Sequence, residues 1–435
     1  MTKYLSFILP LFIGFAMTGC SDSDDIDSDG NFERIDIVLT QPEKDIALGQ
    51  YDFPVKLLST AYTTQGKKST MVSPLSASMV LGMVANAIDS AGRGEILDVM
   101  NLKDNEELKT YNAYMQKLLN NLPDIDKRSK FMMSNAFHLA NDGILSPSYN
   151  QILNDCYFAE IGRFKEFDIS VVNNVNKWVN EKTKGGIPEI LSENDVNDNS
   201  SKYLKTIWIN ALYFNGTWHQ KFDKSKTEKV PFYQNYPDQS VSTTVDMMRG
   251  KGHIRKTYIN ETYNGDNEIT TAILPYGNDS FIFTAILPPA SNPDIQTTLN
   301  ALTDRYWIVL DDICKDLNSP GNDNIYLPKI DITKENDLIP VFKNMGLSYL
   351  LDANWGASMY EALGYDSNLY LRIFRQNAVL NLDEKGSEIK VVTAASAWSS
   401  FGGGPSTATF DRPFIYFIRE RSTGAVLLAG VYTTE

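Results

Sequence analysis

Residues 383–406 read DEKGSEIKVVTAASAWSSFGGGPS, directly before a strongly apolar finish. From Glu384 to Gly404 there is no proline, and most residues are small or β-branched, so few of them could anchor a packed element. Counting from Ser387, alternate positions hold Ser387, Ile389, Val391, Thr393, Ala395 and Ala397, all small or apolar, while the intervening set begins Glu388, Lys390, Val392. That period of two fits a strand with one buried face. An ordinary edge strand followed by a glycine loop fits the same letters. The rest of the chain has to separate a fixed edge from a segment able to become a strand.

With 435 residues, 43% of them apolar and 22% charged, the chain has the make-up of a globular protein and lies far from the disordered class. No Pro/Gly/Ser-rich linker interrupts it beyond the N-terminal stretch and no fixed-period repeat is visible, which points to one large domain. The net charge of −14 argues against nucleic acid or another polyanion as the main partner. The basic run Lys251, His253, Arg255, Lys256 reads as a solvated strand face. Catalytic constellations are missing: His138, His219 and His253 are far apart, and no HExxH, GxSxG or Walker loop occurs. The glycines of FGGGPS follow no strand-to-helix turn and lack a lysine. An enzyme is therefore disfavoured, and neither cofactor nor metal is expected. Cys156 and Cys314 show no metal-ligand spacing and read as buried free thiols, with a disulfide as the alternative.

Lys3, the apolar YLSFILPLFIGFAM and the small residues of TGC ending at Cys20 resemble a bacterial lipoprotein signal. Residues 1–19 would be removed and the Cys20 thiol acylated; ordinary secretion or a short membrane anchor is the alternative. Residues 20–32, with SDSDDIDSDGN, read as an acidic flexible tether and resemble the export signal of lipoproteins that reach the outer face of Gram-negative cells. The expectation is an outer-membrane or cell-surface lipoprotein, facing periplasm or extracellular space and held by more than one acyl chain.

From residue 33 the pattern mixes helices and strands. Apolar residues at helical spacing run from Met79 to Ile88 behind the start signal Ser73-Pro74. NNVNKWVNEKTKGGI reads as an amphipathic helix with Val172, Val175 and Val179 on one stripe around Trp178, stopped by Gly185 and Gly186. KTIWINALYFNG is apolar on both faces, the mark of a central strand. TTAILPY and SFIFTAILP pair around Gly277-Asn278, and RPFIYFIRE with GAVLLAGVY forms a terminal hairpin. Helices dominate early and strands late, an α+β pattern.

Six blocks in order, VSPLSASMVLGMVANA, WINALYFNGTWHQKF, ILPYGNDSFIFTAILP, IYLPKIDITKENDL, AVLNLDEKGSE and FDRPFIYFIRERSTGAVLLAGV, are each similar to signature blocks of the serpins. The resemblance covers residues 33–435. It implies the serpin fold: a large, mainly antiparallel sheet A, two smaller sheets, about nine helices and an exposed reactive-centre loop, here about 384–408. In serpins this loop is cut by a target protease and inserts into the large sheet, carrying the acyl-enzyme with it. Fourteen residues, Ser387 to Ser400, would span about 46 Å at roughly 3.3 Å each. The uncut fold would be metastable, and inhibition a race between insertion and deacylation.

By the same resemblance Glu384, Gly386, Ser387, Glu388, Ile389 and Val391 match the hinge. Ser73, Pro74, Ser76 and Asn210 match a hydrogen-bonded shutter beneath the sheet, and Trp218 matches the breach at its top. Two departures stand out. Inhibitory serpins carry small residues where this chain has Ile389, Lys390, Val391 and Val392, which would slow insertion, and Gln376 replaces a shutter histidine. The reactive bond is placed at Ser400-Phe401, with 400–403 as its range because a count back from Arg412-Pro413 favours Gly402. Ser400 suits an elastase-like pocket and Phe401 a chymotrypsin-like one. The expected partner is a serine protease, with cysteine proteases as cross-reactive targets, met by a monomer. A non-inhibitory serpin serving as a surface ligand-binding or structural protein is the other reading.

Overall fold

Thr40 starts the first helix by a reciprocal cap, its hydroxyl accepting from Glu43 N while the Glu43 carboxylate accepts from Thr40 N at 2.7 Å. That helix, α1, spans Gln41–Gly49 and is followed by α2, Asp52–Thr64. Ser73 caps α3, Pro74–Ala85, with Pro74 in the first turn, where an N–H has no intrahelical partner. Every residue of α3 is buried, Ser76 and Ser78 included, so this helix runs through the core. Capping aspartates, Asp89 and Asp104, begin α4, Ser90–Val99, and α5, Asn105–Asn121. Ser146 begins α6, Pro147–Tyr157. Asp168 begins α7, Ile169–Lys182, which buries Val171, Val172, Val175 and Val179 and ends before Gly185 at φ +83°. A short α8, Glu193–Asn197, lies in the connection that follows.

The computed structural model of the chain describes residues 33–197, 203–240, 242–258, 267–302, 306–307, 317, 321–352, 356–386 and 405–434. They belong to one compact unit, Phe32–Glu435. No helix among them is long and apolar enough to cross a membrane.

The largest sheet runs β1-β16-β15-β8-β7-β6-β9-β14, with β5 also on β6. Its members are β1 Thr70–Val72, β5 Glu228–Phe232, β6 Thr243–Tyr258, β7 Glu268–Pro275, β8 Phe281–Leu287, β9 Asp323–Pro328, β14 Thr407–Thr409, β15 Phe414–Glu420 and β16 Val426–Tyr432. The expected pairs β7–β8 and β15–β16 are both antiparallel, and all residues of β15 and β16 are buried. Burying each large apolar side chain there contributes about 1.5–3 kcal/mol, so this hairpin is core rather than surface. The basic run lies on β6, where Lys251, Arg255 and Lys256 are exposed and Gly252 and Ile254 are buried.

A second region consists of two separate ladders. One has the order β3-β2-β4, with β2 Ser129–Ala140, β3 Glu160–Phe164 and β4 Thr206–Gly216; the other pairs β10, Ile330–Asp337, with β13, Arg375–Leu382. The reading of KTIWINALYFNG as a central strand needs correcting here: among the described residues β4 pairs only with β2. Its two apolar faces arise from packing against α3 and α7, while its outer edge borders a cleft. Cys156, expected to be buried, is free and only partly buried, because it occupies the last turn of α6 beside an αL-terminated helix end.

Candidate functional site

The cleft between β4 and β13 is where the sequence-derived residues meet. Thr217, just past β4, and Asp383, just past β13, both bridge to Gly386, so the two strands run in the same direction toward it. A segment turning back at Gly386 would run antiparallel to both edges and could hydrogen-bond to each. The cleft holds a cavity of about 130 Å³ bordered by Trp208 and Asn210 on one side and Ile373 and Gln376 on the other. A second of about 60 Å³ lies between Leu212 and Phe214 and the facing Ala378 and Leu380. Ser73 and Ser76 lie beneath, while Val179, Ile187 and Ile190 cover it. Along β4 the cleft edge is about 36 Å long at 3.3 Å per residue.

The hinge end is pinned. Glu384 is 4% exposed, and its carboxylate accepts from Lys329 Nζ at 2.8 Å and Thr227 Oγ1 at 2.7 Å. Burial alone would push this carboxyl up, but the Lys329 ammonium and the Thr227 hydroxyl together hold it below the usual carboxylate range. The carbonyls of Glu384 and Lys385 accept from Phe222 N and Trp218 N, each at 2.8 Å. Gly386 sits at φ +138°, and a Cβ there would run into the Gly216 carbonyl, so the hinge needs glycine at this position.

Trp218 closes the same end. It is 1% exposed, its ring stacks on Tyr276 at 4.4 Å and meets Phe222 and Phe283 edge-on, and its Nε1–H donates to Asp383 O at 2.8 Å. Strand end, hinge and the β7–β8 turn therefore share one aromatic cluster, held together by burial and by a satisfied indole.

Of the shutter residues, Ser73, Ser76 and Gln376 come together. Gln376 accepts from Ser73 N at 2.6 Å and donates to Ser73 O at 2.8 Å, joining β13 to the start of α3. The Ser73 hydroxyl donates to Leu427 O at 2.6 Å and accepts from Ser76 N at 3.3 Å, with Pro74 in the turn between them. Asn210 departs from the expected cluster. It donates to Asn135 Oδ1 at 2.7 Å, because the β2–β4 register places those two amides opposite each other, and it shares only the cavity wall with Ser76 and Gln376.

The sequence reading missed what spans the cleft. Arg375 at the start of β13 makes two hydrogen bonds to the Asp195 carboxylate of α8, at 2.5 and 2.7 Å. Next to it, Asn377 Nδ2 donates to Glu189 O at 2.7 Å. The connection from α7 to β4 is thus tied to β13, on the far side of the cleft from the strand it leads into. No periodicity marks such a pair; only the pairing of lone opposite charges 180 residues apart could have hinted at it. His219, Lys329 and Thr227 were missed for the same reason. Cys20, Cys314, Ser387, Glu388, Ile389, Val391, Ser400 and Phe401 lie outside the described residues.

Comparison with known proteins agrees with this architecture. The family described as Serpin (serine protease inhibitor) matches residues 49–434. Iripin-3 of Ixodes ricinus is 25% identical over 407 residues, covering 90% of this chain and 96% of that protein. Corticosteroid-binding globulin of Ovis aries is 27% identical over 411 residues, covering 91% and 86%. Among solved structures, the thermophilic serpin tengpin in its native state superposes with a TM-score of 0.74 at 22% identity, covering 92% of this chain and 96% of that one, so the fold is the expected serpin fold. Serpins are generally serine protease inhibitors, though some members are non-inhibitory. By the family match over residues 49–434, the chain belongs to the serpin family.

Proposed function

We propose that this serpin is a suicide-substrate inhibitor of elastase-like or chymotrypsin-like serine proteases, with Ser400-Phe401 as the bait bond and Cys20 as a lipid anchor to a cell surface. The observation that carries the inhibitory reading is the open cleft between two strands that run together toward Gly386. A strand entering it gains a ladder on both edges and buries one apolar face, and joined loop ends withhold that gain until the chain is cut. Cleavage between Ser400 and Phe401 leaves an ester on the protease serine, and insertion then carries that ester away from water before deacylation. The test is mixing with both protease types: a covalent band surviving denaturation supports the reading, and clean cleavage without a band overturns it. Acylation is tested separately by radiolabelled palmitate uptake, which Cys20→Ala should abolish.

A non-inhibitory, ligand-binding role has one observation in its favour, the largely apolar cavity of about 130 Å³ that Gln376 helps to line, to which the bulky Ile389 and Val391 add from the sequence. Saturable binding of an apolar fluorescent probe, together with cleavage lacking any band, would favour it.

A further inference from the structure

Backbone and side-chain links from both the hinge and the β7–β8 turn meet at Thr217–His219. Thr217 bridges Gly386, Trp218 N donates to Lys385 O at 2.8 Å, and His219 N donates to Pro275 O at 2.9 Å. On the turn side Gly277 N donates to Thr217 O at 2.7 Å, and His219 Nδ1 lies 2.6 Å from Asp279 Oδ1 and 3.1 Å from Gly277 O. The strand end is thereby clamped between the hinge and the β7–β8 turn. A chain turning into the cleft after Gly386 would pass this clamped segment first.

We propose that the His219–Asp279 pair is a proton-governed tie that holds the end of β4 to the β7–β8 turn, so that release of the hinge accelerates as the tie loses its charge. The proposal rests on the insertion reading above. It draws on a local charge arrangement that includes every element packed there. Asp279 comes from the turn. Arg128, ahead of β2, donates to Gly277 O at 3.3 Å, and the Asp126 carboxylate packs against Gly277. Lys221 follows on the same segment, its amine pushed down by burial and then by Arg128 and Lys385. For His219 the Asp279 carboxylate at 2.6 Å outweighs burial and the opposing Arg128 charge, and its imidazole is held above the ordinary value of 6.5. The sign follows directly. A group whose value is raised in the intact fold lends its stabilisation fully below the ordinary value and loses it as pH rises through the raised one. The shutter side chains Ser73, Ser76, Asn210 and Gln376 titrate nowhere in this range, so they supply no competing dependence.

The test uses the full chain, incubated at fixed temperature between pH 5.5 and 8.5, with conversion to the heat-resistant inserted form followed over time. Wild type should convert about threefold faster or more at the alkaline end, whereas His219→Gln and Asp279→Asn should both give flat profiles and His138→Gln should keep the wild-type slope. Equal slopes in wild type and His219→Gln would overturn the proposal. A proton NMR titration of His219, expected to show a midpoint above 6.5 that falls in Asp279→Asn, reads the tie without any insertion. No conversion at any pH in any variant would sink the insertion reading instead; an unshifted His219 midpoint would sink the tie.

Discussion

Arg375 grips Asp195 through two hydrogen bonds, at 2.5 and 2.7 Å, and so fastens the connection leading into β4 onto β13. Asp195 is 8% exposed in its side chain and also accepts from Ser192 N at 2.7 Å, which fixes the carboxylate for the fork geometry of the guanidinium. Removing the pair with Asp195→Asn is expected to cost the intact fold about 1–3 kcal/mol and to speed conversion to the inserted form. Thermal unfolding and conversion kinetics on the same variant check both halves. A slower conversion would show that the strap assists insertion rather than resisting it.

Gln376 offers a sharper stability test. Gln376→Ala leaves the buried Ser73 N–H without its acceptor, while Ser73 O keeps the Ala77 N–H at 3.1 Å. One orphaned buried donor costs about 1–3 kcal/mol. Denaturant unfolding should shift to a lower midpoint with an unchanged slope.

Glu384 predicts an acid dependence. Its carboxyl is held below the ordinary value of 4.5 in the intact fold, so its contribution is complete above that value and is lost as pH falls through the depressed one. Wild type should therefore melt above Glu384→Gln at pH 6, with the gap narrowing below pH 4.5. A gap that persists unchanged to pH 3 would assign the stabilisation to packing rather than to the Lys329 ion pair.

The loop itself is tested by Ser387→Arg. If the loop inserts as proposed, forcing a guanidinium into the strand that would bury this position costs several kcal/mol and leaves the proposed bait bond accessible. The variant should be cut at an unchanged rate while the yield of covalent complex collapses. N-terminal sequencing of the released fragment should begin at Phe401.

Part of the fold was legible from local rules: Ser73-Pro74 announces a helix start, and the β7–β8 turn and the β15–β16 hairpin follow from alternation and turn chemistry, whereas the hinge and shutter positions, Gly386 among them, came from the resemblance to serpins. What escaped depends on distance in the chain. Apolar faces on both sides of KTIWINALYFNG suggested a central strand, yet α3 and α7 packed on its two faces produce the same letters at a strand bordering a cleft. Asn210 matched a motif position, but register set it against Asn135. The pairs Arg375–Asp195, Glu384–Lys329 and His219–Asp279 join residues that no window of sequence brings together.

The fully buried hairpin β15–β16 also bears on biogenesis. It follows every other described element in the chain, yet β15 sits between β8 and β16, and β16 holds β1. The two strands that join β1 to the rest of the largest sheet are thus synthesised last, so until the ribosome has delivered them β1 lacks its partner and β8 is paired on its β7 side alone. Closure of this sheet must therefore be a late event in folding.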